Sequence, residues 1–409
     1  MQRYYLLDRE IESDDPGFEA LLGRAYTLHT GALCLCRRDV ELKLYISQRL
    51  GSFVLSRWPG TGQAHIPGCE HYEAPDFLTG KGEVQGTAIV EDDAGDVSLK
   101  FGFPLSRGAA RSAPGAMTNE KPTVVSKGHR LSMRGLLHFL WDRAELTHWH
   151  PRMANKRNWF VVRRAVVNAA LGCRVRGEAL MSSLFVPEPF QLDRNDDIEK
   201  RRRSELGEAY ASLDAIMVIV GEVKTIEPAR YGEKIMIRHL PDWPFLMDED
   251  MAKRFHRRFA VEEELWRSDE DGGHLMMAAS FSIGRSGLPH LYEMAVMPVT
   301  AQWLPYETRD ERSLIAKAVT AQRRFVKGLR FNLASEKPIA SIALKDTGPE
   351  ATAVYLARNL PDPAQDEALG LLLKTPGVHH QVWRPGETLP AVVSGSRPVA
   401  VQRPAGTLQ

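Results

Sequence analysis

Through the first hundred residues, apolar positions alternate with polar ones instead of recurring at helical spacing. Leu42-Lys43-Leu44-Tyr45-Ile46 and Ser52-Phe53-Val54-Leu55 are short alternating runs, punctuated by Gly51, Pro59-Gly60 and Thr61-Gly62. That is the pattern of half-buried strands joined by turns. Lys81 to Phe101 offers two more strands on either side of Asp92-Asp93-Ala94-Gly95. A stretch rich in Gly, Ala, Ser and Pro follows, Ser106 to Gly115, and reads as a linker.

From Ser132 the period changes. Leu136, Leu137, Leu140, Trp141 and Ala144 recur at helical spacing behind Ser132 as an N-cap. Pro151 ends this helix. A second runs from Trp159 to Leu171 with Val162, Val166, Ala169 and Ala170 as its apolar stripe, and Cys173 is expected in the core. The charged stretch Asp193 to Ala211 reads as a solvated helix. Strand-like runs follow at Ile216 to Val220, Lys234 to Arg238, Leu275 to Ile283 and His290 to Val299, interrupted by an acidic helix around Ala260 to Trp266. Nearer the C-terminus, Arg312 to Arg324 reads as helix, Ile339 to Leu344 and Ala351 to Leu356 as strands, and Asp366 to Leu373 as a short helix.

At 409 residues the chain exceeds what one core fills. The pattern divides it into a β-rich module (1–105), a linker (106–128), a basic helical module (129–185), an α+β middle domain (186–310), an α/β domain (311–393) and a disordered tail (394–409). The fold class expected is therefore multidomain α+β, its helical module resembling a helix-turn-helix. The longest apolar run, Ala215 to Val220, is far short of the roughly 20 residues that cross a bilayer. No membrane association is expected, and no secretion signal opens the chain.

Composition changes this picture in one place. Three of the four cysteines lie near the N-terminus, as Cys34-Leu35-Cys36 and His65-Ile66-Pro67-Gly68-Cys69-Glu70-His71. Clustering of this kind argues against a disulfide framework and for a reducing cytoplasm. The residue types suit a closed, structural Zn²⁺ site, which takes four thiolate or imidazole ligands. Two sets are open: Cys34, Cys36, Cys69 and His71, in the order of SWIM-type zinc fingers, or Cys34, Cys36, His65 and Cys69. On one extended strand Cys34 and Cys36 would share a face.

Charge adds a second feature. Formal net charge is +1, yet Lys121 to Gly177 holds 12 Lys or Arg against Asp142 and Glu145. Trp141, Trp149 and Trp159 are interleaved with these cations. Such a patch suits nucleic-acid phosphates; its bland counterpart is surface pairing with Asp193 to Glu199 and Glu262 to Glu264. His148-Trp149-His150 reads as a packing corner. Glu222-Val223-Lys224 would put a carboxylate and an ammonium on one strand face, as in half of a nuclease metal site, but Asp214 is too far along the same strand to complete it. The pair reads as a solvated strand edge.

Taken together, Cys34-x-Cys36, His65-x3-Cys69 with Tyr72, Leu137 to Ala144, Lys156-Arg157-Asn158, Phe185 to Phe190, Gly221 to Lys224 and Arg238 to Asp242 resemble the domain-of-unknown-function family numbered 1173. The resemblance covers nearly the whole chain. It implies carriage on bacterial plasmids and integrative elements, and it favours Cys34, Cys36, His65 and Cys69 as metal ligands, with His71 a bystander or substitute. The C-terminal stretches Arg323 to Arg330 and Ile342 to Thr347 are similar to a restriction-endonuclease-like domain. There Ser341 and Ala353 stand where that domain's metal-binding carboxylates belong, which implies no nuclease chemistry from this part. The function expected is a non-catalytic, zinc-stabilised, nucleic-acid-associated accessory of a mobile element. Its contacts would be Arg157, Arg163, Arg164, Lys156 and Arg134. The alternatives are a metal-dependent nuclease using Glu222 and Lys224, or a scaffold for a protein partner.

Overall fold

The computed structural model describes residues 2–106, except Leu50, Pro59, Asp93 and Ala94, and residues 129–392, except Leu213 and 358–361. All but the first residue of the expected linker, and the whole tail 394–409, lie outside the described residues. Among those residues no helix is long and apolar enough to cross a membrane.

The N-terminal part is a five-stranded antiparallel sheet, in the order Arg9–Glu12, Arg3–Leu6, Ala32–Cys34, Leu42–Arg49 and Ser52–Arg57. The helix Phe18–Thr27 lays Leu21, Leu22 and Ala25 on it, over Tyr4, Leu6 and Leu44. Both alternating runs read from the sequence are strands here, because one sheet face is buried and the other meets water.

The middle of the chain builds a barrel. Met217–Pro228 pairs with Glu233–Ile237, which pairs with Leu240–Met247. That strand touches Pro289–Val299 at Leu246 and His290, and Pro289–Val299 pairs along its length with His274–Ile283. The ring closes where His274–Ile283 returns to Met217–Pro228. The run expected to stop at Val220 therefore continues to Pro228. It pairs with His274–Ile283 over Met217 to Val223 and with Glu233–Ile237 over Val223 to Pro228.

The helix Met133–Arg143 is buried almost all round, with Leu136, Leu137, Leu140 and Trp141 fully enclosed. Such a helix belongs inside a molecule. Ser132 caps it, accepting a hydrogen bond from the Gly135 N–H at 3.0 Å. One apolar core runs from Val84 to Phe331, through this helix, the helix Trp159–Ala170 and the barrel.

Residues 129–185, expected as a basic helical module, distribute their parts among three sheets. His148–Trp149 is an edge strand of the C-terminal sheet, pairing with Phe325–Lys327. Cys173–Val175 pairs with Val97–Leu99, and Leu184–Phe185 with Met217–Pro228. The physical reason lies in Trp149, Cys173, Leu184 and Phe185, which are all buried and need cover from outside the segment.

The C-terminal sheet runs His379–Trp383, Thr352–Leu356, Ile342–Leu344, Phe325–Lys327 and His148–Trp149. Its covering helix is Arg309–Thr320, not the expected Arg312 to Arg324. Thr308 caps the start, and at the far end Gln322 turns to positive φ, 53°, delivering Phe325 into a strand.

Contacts at Gly80 and Glu73 help tie the N-terminal part to the rest. At Gly80 the N–H donates to Leu329 O at 2.9 Å, and a Cβ there would fall 1.8 Å from Arg330 O. Glu73 pairs with Arg57 at 2.7 Å and with Lys81, which also reaches Asp142 of the central helix at 3.3 Å. Burial pushes the Glu73 carboxyl up, but Lys81 and Arg57 outweigh it and hold the group at about 2 against an ordinary 4.5.

Gly80→Ala should destabilise the protein by about 1–3 kcal/mol, because backbone must move to admit the methyl. A thermal melt measures it; an unchanged melting temperature contradicts the close approach. A depressed carboxyl stabilises the fold above its unfolded value and loses that stabilisation as pH falls through the folded one. The melting-temperature gap between wild type and Glu73→Gln should thus be widest above pH 4.5 and narrow towards pH 2. A gap that stays constant with pH contradicts the pairing.

Candidate metal centre

Cys34 ends the strand Ala32–Cys34, with Tyr4 and Leu42 as its cross-strand neighbours. Cys36 lies beyond it in a turn, so the two thiols converge by a bend of the chain and not, as the sequence spacing suggested, by sharing one strand face. His65 follows the short 3₁₀ turn Gly62–Ala64. Ile66-Pro67-Gly68-Cys69 forms a tight turn closed by Cys69 N–H to Ile66 O at 2.9 Å, and this swings Cys69 back under Cys34.

One ligand atom from each of Cys34, Cys36, His65 and Cys69 lies within 4.8 Å of all the others, a grouping able to hold a metal ion. The individual edges are informative. Cys34 Sγ to Cys69 Sγ is 3.6 Å, Cys36 Sγ to His65 Nδ1 is 3.4 Å, and Cys69 Sγ to His65 Nδ1 is 3.5 Å. A tetrahedral ion with bonds of about 2.3 Å to sulfur and about 2.0–2.1 Å to nitrogen implies edges of about 3.8 Å and about 3.6 Å. The sulfur pair is also far beyond the roughly 2.05 Å of a disulfide. Among the described residues, no other group of three or more potential ligands converges in this way.

Electrostatics argue in the same direction. Hydrogen bonding with Cys36 pushes the Cys34 thiol up to about 11, and hydrogen bonding with Cys34 pushes Cys69 far above the usual thiol range. The same contact with Cys34 holds Cys36 far below that range. Three sulfurs this close accommodate one thiolate unaided. Ionising all three needs a cation among them.

The surroundings are built for sulfur. Gln2 is buried, and its Nε2 donates to Cys34 Sγ at 3.0 Å and to Cys69 Sγ at 3.1 Å. The His71 N–H points at Cys69 Sγ at 3.4 Å, while the His71 ring is 3.1 Å from the Tyr4 hydroxyl through Nε2. His71 therefore stands beside the centre, and His65 supplies its nitrogen. From the C-terminal sheet, Arg324 donates to Gly68 O at 2.8 Å and Lys345 to Cys69 O at 2.9 Å, with the Lys345 ammonium 5.5 Å from the Tyr72 ring. Nothing in the local sequence announces Gln2, Arg324 or Lys345. They act across long separations.

The expected nucleic-acid residues do not share one environment. Arg157 donates to Leu146 O at 2.8 Å and His148 O at 2.5 Å, and its burial pulls its pKa down to about 10. Arg134 donates to Phe331 O and Leu333 O, and Arg163 to Val186 O. Lys156 and Arg164 are exposed, with Phe160 between them 61% exposed.

Glu222 and Lys224 also part company. The strand carrying them is central, so Glu222 is not at a solvated edge: its side chain is 2% exposed and paired with Arg238 and His274. A bulge between Val223 and Thr225 breaks the alternation, and Lys224 faces water. Ser341 is buried in the C-terminal sheet, and Ala353 pairs with Ala343.

The family model described as "Protein of unknown function (DUF1173)" matches residues 4–386. No curated protein and no solved structure matches the chain.

Cys34→Ser should abolish binding of about one metal ion per chain, because a structural site needs all four ligands. The loss of stability should approach the scale of isolated zinc fingers, on the order of 10 kcal/mol. Elemental analysis with a thermal melt reads both. A variant that melts like wild type and carries the same metal contradicts the assignment.

Proposed function

The chain belongs to the family described as Protein of unknown function (DUF1173), and from that premise we propose that it is a non-catalytic, zinc-stabilised protein that associates with nucleic acid. We place it in the cytoplasm, as an accessory carried by plasmids or other mobile elements. Zinc is the ion of choice because three thiolates and an imidazole in a closed tetrahedron suit it, and such a site leaves no open position for chemistry.

The observation that carries the nucleic-acid reading is the exposed stripe Lys156, Phe160 and Arg164. Phe160 and Arg164 are four residues apart on the helix Trp159–Ala170, so they share a face. Among the described residues neither Lys156 nor Arg164 has a carboxylate partner, unlike Arg201 and Arg203 with their glutamates. An exposed aromatic face one helical turn from Arg164, with Lys156 a few residues before it, suits a stacked base and its phosphates. Arg134, Arg157 and Arg163 spend donors on backbone carbonyls and do not form this surface.

The nuclease alternative through Glu222 and Lys224 draws no support, since the carboxylate is already engaged by Arg238 and His274. A protein-binding surface is the second reading, favoured by Val161 standing exposed next to Phe160 on the same helix. The nuclease-like C-terminal part is read as a structural relic without metal chemistry, given Ser341 and Ala353.

Filter binding with short single- and double-stranded DNA should show affinity that falls linearly in log–log with salt. The double variant Lys156→Gln/Arg164→Gln should flatten that slope by up to about two phosphate contacts. Phe160→Ala should weaken single-strand binding by roughly 1–3 kcal/mol. No binding at low salt, or variants indistinguishable from wild type, contradicts the proposal. A single protein retained from nuclease-treated lysate by wild type and lost with Phe160→Ala moves the assignment to the second reading.

A further inference from the structure

The barrel holds a carboxylate that neither the metal centre nor the exposed stripe uses. Glu222 Oε1 lies 2.6 Å from Arg238 Nε and 2.7 Å from His274 Nδ1, under a side chain only 2% exposed. Arg238 gives that oxygen a charge-assisted hydrogen bond. An ionised carboxylate can only accept, so Nδ1 of His274 is the donor and carries the proton. In the neutral ring the lone pair is then on Nε2. That nitrogen has no partner among the described residues, and the His274 side chain is 20% exposed.

The ring is also held in place. His274 stacks on Trp303 at 4.1 Å between centroids and 17° between planes. Trp303 adopts φ 62°, a left-handed conformation uncommon for a bulky residue. It is fixed there by its own N–H to Thr300 O at 2.7 Å and by Trp141 Nε1 to its carbonyl at 3.2 Å, with Trp159 on its flank at 6.0 Å. Four separate segments of the chain thus immobilise one imidazole. Arg238, on the same carboxylate oxygen, keeps both Nη groups without partners among the described residues, on a side chain 52% exposed.

We propose that Glu222, His274 and Arg238 form a second functional site, in which His274 Nε2 is an oriented proton acceptor and the Arg238 Nη groups hold the oxyanion of a phosphate ester. The guanidinium fork matches two oxygens of a tetrahedral oxyanion. The imidazole beside it takes the proton of a hydroxyl, of bound water or of the ester's own acid, and Glu222 stabilises the resulting imidazolium across Nδ1. Glu222 is the positioning residue; His274 and Arg238 touch the ligand. The site is independent of the nucleic-acid reading, and either can fail alone.

Chemical acylation tests it on the full-length, metal-loaded chain. Diethylpyrocarbonate modifies neutral imidazole nitrogen, and peptide mass mapping reports each histidine separately, with the exposed His379 as internal reference. His274 should be modified at a rate comparable to His379, and millimolar inorganic phosphate or pyrophosphate should slow His274 several-fold while leaving His379 unchanged. Arg238→Gln should keep the reactivity and remove the protection. Glu222→Gln should lower the His274 rate several-fold. An unreactive His274, protection that is absent or that survives Arg238→Gln, or a Glu222→Gln rate equal to wild type would each overturn the proposal. If Glu222→Gln fails to fold, the wild-type protection and Arg238→Gln still decide the matter, since Arg238 is half exposed.

Discussion

Three sulfur atoms within 4.8 Å of one another cannot all be anionic without a cation between them, and the N-terminal third of this protein is arranged around that fact. The strand carrying Cys34, the bend at Cys36 and the turn Ile66 to Cys69 converge on one point, where their sulfurs meet the His65 ring. Their sulfurs sit in the same apolar cluster as Tyr4, Leu42 and Tyr72. Gln2 brings an amide rather than an ammonium to two of them, supplying donors without adding a second cation beside the ion. The turn is clasped from the other side by Arg324 and Lys345, so the ligand-bearing loop near the N-terminus is coupled to the last sheet of the chain. Metal occupancy and the seating of that sheet are therefore expected to be linked.

Elsewhere the same molecule solves a different charge problem. Three arginines that looked like a surface patch serve as internal struts, Arg134 and Arg157 each donating to more than one backbone carbonyl and Arg163 to one. Glu222 is the counterpart, a carboxylate enclosed by a central strand and kept there by Arg238 and His274. Near-zero net charge conceals both. The charges are compensated locally, by groups far away in sequence.

What could be read from the sequence was what is encoded within a few residues. Helices Met133–Arg143 and Trp159–Ala170 showed themselves through apolar period, the first also through its cap Ser132; the cap Asn158 of the second went unread. The soft ligands declared themselves by type and spacing, although the geometry that unites them is a bend and not a shared strand face. Closure of the barrel was hidden, because it depends on Met217–Pro228 meeting His274–Ile283 some fifty residues later. The inward course of Arg134 and Arg157 was hidden for the same reason: their partners, Phe331 and Leu146 among them, carry no side-chain signal for a backbone acceptor. Glu222 read as a strand edge because a polar residue after an apolar run ordinarily marks one. His274 had no signal at all, since its meaning comes from Trp303 and Glu222.

X-ray absorption at the zinc edge on purified full-length protein decides whether the four ligands hold zinc. The expected spectrum has a first shell of three sulfurs at about 2.3 Å and one nitrogen at about 2.0 Å, with the outer-shell scattering of a single imidazole. A shell of oxygen and nitrogen alone, two imidazoles in place of one, or no zinc in protein purified without chelator would contradict it.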